Sequence, residues 1–251
     1  LQHEDGHSHI LAGTIPNCVS YDPTFAHEVA VIMHHGLKRM VERQENVFYY
    51  ITLLNENYAM PGLTPGTEEQ IIKGMYLCKP GADGDKRVQL LGSGTILRES
   101  LEAQTLLAAD WGVQADVWSC PSFNELTRDG QDAERWNLLH PLEAPRVPFV
   151  AQQLGQRSGP VVASTDYMKN YAEQIRAFIP AGRTYKVLGT DGFGRSDFRS
   201  KLREHFEVNR HYIAVAALKA LAEEGQLPLA KVAEAIQKYG IQTEKNNPLY
   251  A

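Results

Sequence analysis

Asn46-Val47-Phe48-Tyr49-Tyr50-Ile51-Thr52-Leu53-Leu54 is the stretch on which the fold turns. Its β-branched and aromatic run fits a pleated, half-buried strand better than a helix, where such side chains lose rotamer freedom. Upstream, Val29, Ile32, Met33, Gly36, Leu37 and Met40 recur at helical spacing and predict a helix from about Phe25 to Arg43. Before it, Thr14 to Ser20 reads as a short buried strand. Tyr21-Asp22-Pro23-Thr24 reads as a turn in which Asp22 or Thr24 would cap the helix. Strand, helix and strand at these lengths make a parallel βαβ unit, the mark of an α/β protein.

Downstream the same alternation continues. A helix is expected from about Glu68 to Leu77, then an exposed connector at Pro80-Gly81-Ala82-Asp83-Gly84-Asp85. Residues 1–79 therefore read as one α/β unit, 80–86 as a linker and 87–251 as a second unit with a mostly parallel sheet. In the second unit the predicted strands are Val88–Leu91, Ala115–Cys120, Gly159–Ser164 and Tyr185–Leu188. Between and after them, helices are expected over Thr95–Trp111, Ser122–Leu139, Pro148–Gln153 and Asp166–Ile179. Three more are expected up to Phe206, over Arg210–Glu223 and over Leu229–Tyr239. Gly92-Ser93-Gly94 lacks the third glycine of a dinucleotide fingerprint, since Leu97 stands there, and reads as a tight strand-to-helix turn.

Composition narrows the function classes. The 251 residues are 43% apolar and 22% charged, with a formal net charge of −5. This is a globular profile with no long basic run, so neither nucleic acid nor an anionic membrane is an expected partner. No apolar run has the length of a membrane span, and no signal-like segment opens the chain. Cys18, Cys78 and Cys120 are few and odd in number, which fits a reducing cytoplasm better than a disulfide framework.

Candidate chemistry gathers at Leu1-Gln2-His3-Glu4-Asp5-Gly6-His7-Ser8-His9. Its literal H-E-x-x-H would need His3 and His7 on one face of a helix around a zinc ion. Asp5, Gly6 and Ser8 are poor helix-interior residues and no apolar period surrounds them, so a polar loop entering a cleft is expected instead. A frayed terminus is the competing reading. Glu56, Asn57 and Tyr58 leave the carboxyl end of a strand, where α/β proteins place their sites, yet read as scaffold. Asp191 and Arg195, in a glycine-rich strand-end loop, read as turn stabiliser and brace. His34-His35 reads as a helix flank, and Tyr21 and Asp22 are weak cleft candidates.

The strings Gln2–His9, Leu54-Asn55-Glu56-Asn57-Tyr58, Arg128-Asp129-Gly130-Gln131, Gly189–Ser196 and His205-Phe206-Glu207-Val208 resemble the homodimeric bacterial pyruvate dehydrogenase, the decarboxylating first component of its complex. The resemblance runs through to Asn247-Pro248-Leu249-Tyr250-Ala251. It implies a transketolase-type architecture, with residues up to about Leu77 forming the second half of the pyrimidine-binding domain and the rest a complete carboxyl-terminal domain. It also implies thiamine diphosphate with Mg2+, pyruvate as substrate, a homodimer partner, and transfer of a two-carbon unit to the lipoyl domain of the dihydrolipoyl acetyltransferase. By the same resemblance His3 is the active-site histidine facing substrate, while His7 and His9 carry no assigned role. The ligands of the metal and diphosphate lie outside the matching strings, so the chain is expected to be a fragment that neither binds the cofactor nor turns over pyruvate alone. Another superfamily member, such as a 2-oxoglutarate dehydrogenase or transketolase, and a non-catalytic assembly module remain as alternatives.

Overall fold

The computed structural model describes residues 5–251. Two sheets carry the chain. In the smaller, β1 (Cys18–Tyr21) and β2 (Phe48–Ile51) run parallel in the register Cys18↔Phe48 to Tyr21↔Ile51, joined by α2 (Ala26–Leu37) and its π-helical extension Lys38–Glu42. This is the expected βαβ unit. The larger sheet has five strands in the order β3-β5-β4-β6-β7, formed by β3 (Tyr76–Lys79), β4 (Arg87–Gly92), β5 (Gln114–Ser119), β6 (Val161–Ser164) and β7 (Tyr185–Leu188). All its pairings are parallel except the antiparallel β3–β5 edge.

The central strands are buried on both faces, so their apolar residues feed two cores. Val88, Leu90, Val117 and Val162 pack under α4 (Ile96–Trp111), α9 (Arg210–Glu223) and α10 (Leu229–Lys238). Leu91, Trp118, Val161 and Ala163 face α5 (Phe123–Leu139), α6 (Phe149–Gly155) and α7 (Lys169–Glu173). Val19, Tyr21, Ile32, Ile71 and Tyr76 form a third, smaller core under the first sheet.

Several expected elements differ. The helix read over Glu68–Leu77 is α3, Glu68–Lys73, because Gly74 takes a left-handed φ of 102° and ends it. A side chain there would meet the Ser122 carbonyl. The freed Tyr76–Lys79 becomes the edge strand of the second sheet, although the residues up to 79 had been assigned to the first unit. Residues Ser8–Gly13 form a short helix, α1, where a loop was expected: Asp5 Oδ1 accepts from the backbone of His7 (3.2 Å) and Ser8 (2.9 Å) and starts it. The strand read from Thr14 accordingly begins at Cys18. Residues expected to open a helix at Asp166 instead bond the amino-terminal segment, Met168 N donating to Gly6 O at 2.7 Å; α7 follows, and Arg176–Phe178 is a 3-10 turn. Near the other end of the second unit, α8 covers Arg199–His205.

The apolar stripe of α2 is rotated from its expected place. Ile32 and Gly36 are buried, but the third inward position is Glu28, while Met33 and Leu37 are each 53% exposed. Four donors make a buried acid tolerable there. Glu28 Oε2 accepts from Thr24 N and Phe25 N, and Oε1 from Tyr76 OH (2.8 Å) and Ser119 Oγ (2.6 Å). Glu28 thus performs the helix-start role expected of Asp22 or Thr24. It also sews the first unit to two strands of the second.

Candidate active site

In the larger sheet β4 pairs with β5 on one side and β6 on the other, so successive crossovers leave β4 in opposite directions. Open α/β sheets place ligands at the carboxyl end of such a switch point. Here the carboxyl ends of both sheets meet. Asp22 follows β1, its N–H donates to Pro121 O at 2.7 Å and its carbonyl accepts from Gly94 N at 3.0 Å. Asn124 at the start of α5 donates to His9 O (2.8 Å) and Ser20 Oγ (2.6 Å). Arg128 donates to Cys18 O at 2.7 Å and braces β1 against α5.

A cavity of about 530 Å³ opens at this junction. Asp5, His7 and Leu54 from the first unit form one wall; Asp166, Thr190, Phe193, Arg195 and Arg203 from the second form the other. The size suits a small organic substrate or part of a cofactor. A more open groove of about 790 Å³ lies around Lys86, Trp111, Pro228 and Lys231, towards the amino end of β4 and away from the carboxyl strand ends where polar side chains converge.

Charge is organised along one side of the cavity. Glu56 Oε2 accepts from Thr95 Oγ1 (2.8 Å) and Arg203 Nη2 (2.8 Å), and Oε1 from Arg98 Nη1 (2.6 Å). Burial works to raise this carboxyl, but those hydrogen bonds hold it at about 2. Asp166 has the opposite balance. Burial pushes its carboxyl above the usual carboxylate range, and the Arg203 charge only partly offsets it. An ionised clamp and a carboxyl biased towards its neutral form therefore share one wall.

Beside the cavity lies a buried polar chain. His9 Nε2 sits 2.8 Å from Thr52 Oγ1, which sits 2.9 Å from Asp22 Oδ1. The His9 ring is boxed by Tyr50, Tyr167 and Tyr171. Burial lowers its imidazole to about 4 and raises the Asp22 carboxyl to about 7.

The sequence candidates fall into distinct places. His3 lies outside the described residues. His7 and Arg195 line the cavity; His9 and Asp22 are buried beside it; Tyr21 is buried and donates to Ile72 O at 2.8 Å, so it is core and not cleft. Asp191 accepts from Lys169 N at 3.0 Å, a bond to the start of α7 and not within its own turn. His35 Nδ1 is 3.2 Å from Tyr49 OH, a satisfied helix-flank histidine. Tyr58 donates to Thr24 O and lies under the Arg98 guanidinium, a scaffold part. Asp166, Arg203 and Thr52 escaped the sequence reading. Thr52 alone carried a local signal, as the first residue past a strand paired in register with the one ending before Asp22.

The chain is similar to known proteins at two levels. Residues 1–61 match the family described as "Pyruvate dehydrogenase E1 component middle domain", and residues 74–209 the family described as "Transketolase-like TK C-terminal domain". It is 61% identical over 250 residues to the "Pyruvate dehydrogenase E1 component" of Pseudomonas aeruginosa, covering 99% of this chain and 28% of that protein. It is 60% identical over 252 residues to the protein of the same name from Escherichia coli K12, covering 100% and 28%. The chain thus spans a little over a quarter of the length of these relatives. Among solved structures it resembles the transketolase of Leishmania mexicana, with a TM-score of 0.61, 14% identity, and coverage of 88% of this chain and 28% of that one. A Pichia stipitis transketolase complex gives a TM-score of 0.59 at 16% identity, covering 90% and 28%.

Proposed function

As the chain belongs to the transketolase-like C-terminal domain family, we propose that it forms part of a thiamine-diphosphate-dependent pyruvate dehydrogenase E1 component. That enzyme decarboxylates pyruvate and passes the two-carbon unit to the lipoyl group of the acetyltransferase. The observation that carries this reading is 61% identity to an E1 component along 99% of the chain, across both units and both cavity walls. The likeness to transketolases, at 14–16% identity, carries the fold alone.

Thiamine diphosphate, when bound, supplies a carbanion for attack on the keto carbon and a sink for the electrons released with carbon dioxide. Among the described residues no three His, Cys, Asp or Glu side chains converge as metal ligands. We assign the metal-bound diphosphate end to other parts of a protein of the relatives' length.

What this chain offers fits the substrate end. His3 precedes the cavity-lining Asp5 by two residues, and its imidazole is assigned to the ketone oxygen, donating a hydrogen bond or proton as negative charge grows there. Arg203, fixed by Glu56, keeps positive charge at the same wall, and Asp166 in its neutral form can donate. The Phe193 and Leu54 side chains add apolar surface to the cavity lining. Met33, Leu37, Phe48 and Leu53 are exposed on the first unit. Such an apolar patch supports contact with further protein, as a homodimer in a cytoplasmic multienzyme complex would provide.

Steady-state assays on a polypeptide of the relatives' length carrying this chain test the reading. Pyruvate is expected to support acetylation of a lipoyl acceptor, with 2-oxoglutarate and ketose phosphates inert. Preference for either of the latter would replace the proposed substrate.

A further inference from the structure

We propose that Asp22, Thr52 and His9 form a buried proton relay that sets the tautomer of His9 and so positions the amino-terminal histidine segment at the cavity. The relay rests on geometry: three side chains from three elements in line, with separations of 2.8 and 2.9 Å, and an unpartnered buried atom at each end, His9 Nδ1 and Asp22 Oδ2. His9 is fully buried and Asp22 is 1% exposed. The single hydroxyl proton of Thr52 can point only one way along this line at a time.

Two arrangements therefore exist, differing by one proton. In the first, His9 Nε2–H donates to Thr52 Oγ, Thr52 donates to an ionised Asp22, and His9 Nδ1 is bare. In the second, Asp22 carries a proton and donates to Thr52, Thr52 donates to His9 Nε2, and Nδ1 carries the imidazole proton. Net uptake of one proton from water converts one into the other. The Nδ1–H bond forms, the Nε2 proton passes to Thr52, and the original Thr52 proton passes to Asp22. His9 stays neutral in both. Burial is what makes the exchange accessible near neutrality, since it holds Asp22 at about 7 and keeps His9 from taking a second proton until about 4.

The groups facing Asp22 are known. Thr52 stands just past β2 and His9 comes from α1, with Asp5 beyond it; Glu28 faces it from α2, and Asp166, Tyr167 and Tyr171 from the segment after β6. From the β4–α4 turn Gly94 closes the site: a Cβ there would lie 2.5 Å from Asp22 Oδ2. The acids Glu28 and Asp166 raise Asp22 further, behind burial itself. His9 lies in α1, Asp5 accepts from the amides at its amino end, and His3 precedes it in the sequence. These are positioning residues; the link to turnover rests on the E1 reading, whereas the relay does not.

The test is nitrogen NMR of the chain labelled with 15N-histidine, with the His9 signals assigned by their loss in His9→Gln. The expected result is neutral His9 changing from the Nε2–H form at about pH 8.5 to the Nδ1–H form at about pH 5.5. Asp22→Asn should abolish the change, and so should Thr52→Val, which removes only the connecting hydroxyl. One tautomer across the whole range in the unsubstituted chain would overturn the relay. A change that survives either substitution would overturn it equally. In a polypeptide of the relatives' length, Asp22→Asn should also erase a limb near neutral pH from the kcat profile for pyruvate, with KM little altered. Absence of pyruvate turnover would defeat the E1 reading and leave the tautomer measurement standing.

Discussion

Arg203 Nη2 lies 2.8 Å from Glu56 Oε2, a contact between residues 147 positions apart. It ties the loop leaving β2 to α8 across the rim of the cavity. With Arg98 and Thr95 on the same carboxylate, the two units are clipped together by ionic groups where the site opens and by apolar packing behind it. Arg203 also reaches Glu99 at 3.3 Å, and Arg210 meets the same Glu99 at 2.9 Å, so the clip extends into α9.

Glu56→Gln leaves Arg98 without its counter-charge and Arg203 with Glu99 alone, in a half-buried site. The expected cost is about 2–3 kcal/mol at pH 7, less than full burial would give. The folded carboxyl sits at about 2, below its ordinary value of 4.5. Its contribution is therefore present above that ordinary value and lost as pH falls towards 2. Urea unfolding at stepped pH should show the gap between the two proteins closing over that interval.

Gly94→Ala should be among the most damaging small substitutions. The residue has a φ of +49°, and its new methyl group would meet the Asp22 carboxylate. Strain and overpacking together predict a loss of about 2–4 kcal/mol. Gly112→Ala is the control, since it shares a positive φ of 62° with nothing within 4 Å and should cost only about 1 kcal/mol. Melting temperatures of the two variants separate crowding from backbone strain.

Asp22→Asn should reverse sign with pH. The folded Asp22 carboxyl, at about 7, stands above its ordinary value of 3.8. Its stabilisation is complete below 3.8 and lost as pH rises through 7. His9 acts in the other direction: with a folded value of about 4 against 6.5, its contribution is present above 6.5 and lost as pH falls towards 4. Removing Asp22 leaves the histidine slope uncompensated. The variant should thus melt higher than the parent chain at about pH 8, and its advantage should shrink and then reverse as pH falls from 7 towards 3.8.

The βαβ unit and the parallel sheet were legible because strand composition and helical period are local signals. Four of the second unit's strands were read within two residues of their observed ends. Glu28 and Glu56 were not readable as structural centres. An acid on a helix or after a strand looks solvated until its distant donors arrive from residues 39 to 147 positions away. The β3 strand was hidden for a related reason: Tyr76–Lys79 continues an apparent helix, and only the left-handed Gly74 diverts it. His9, by contrast, stood in a polar run with no apolar period, so nothing local marked it as buried while His7 is exposed.

The central proposal is that this chain serves pyruvate turnover in a protein of the relatives' length and that His3 takes part in it. The most direct measurement is pyruvate turnover by a polypeptide of the relatives' length carrying His3→Ala, beside its melting curve. A fall in kcat of about a hundredfold or more with an unchanged melting temperature is the predicted result, as for loss of a positioned proton donor. Turnover equal to that of the unsubstituted enzyme would contradict the assignment of His3.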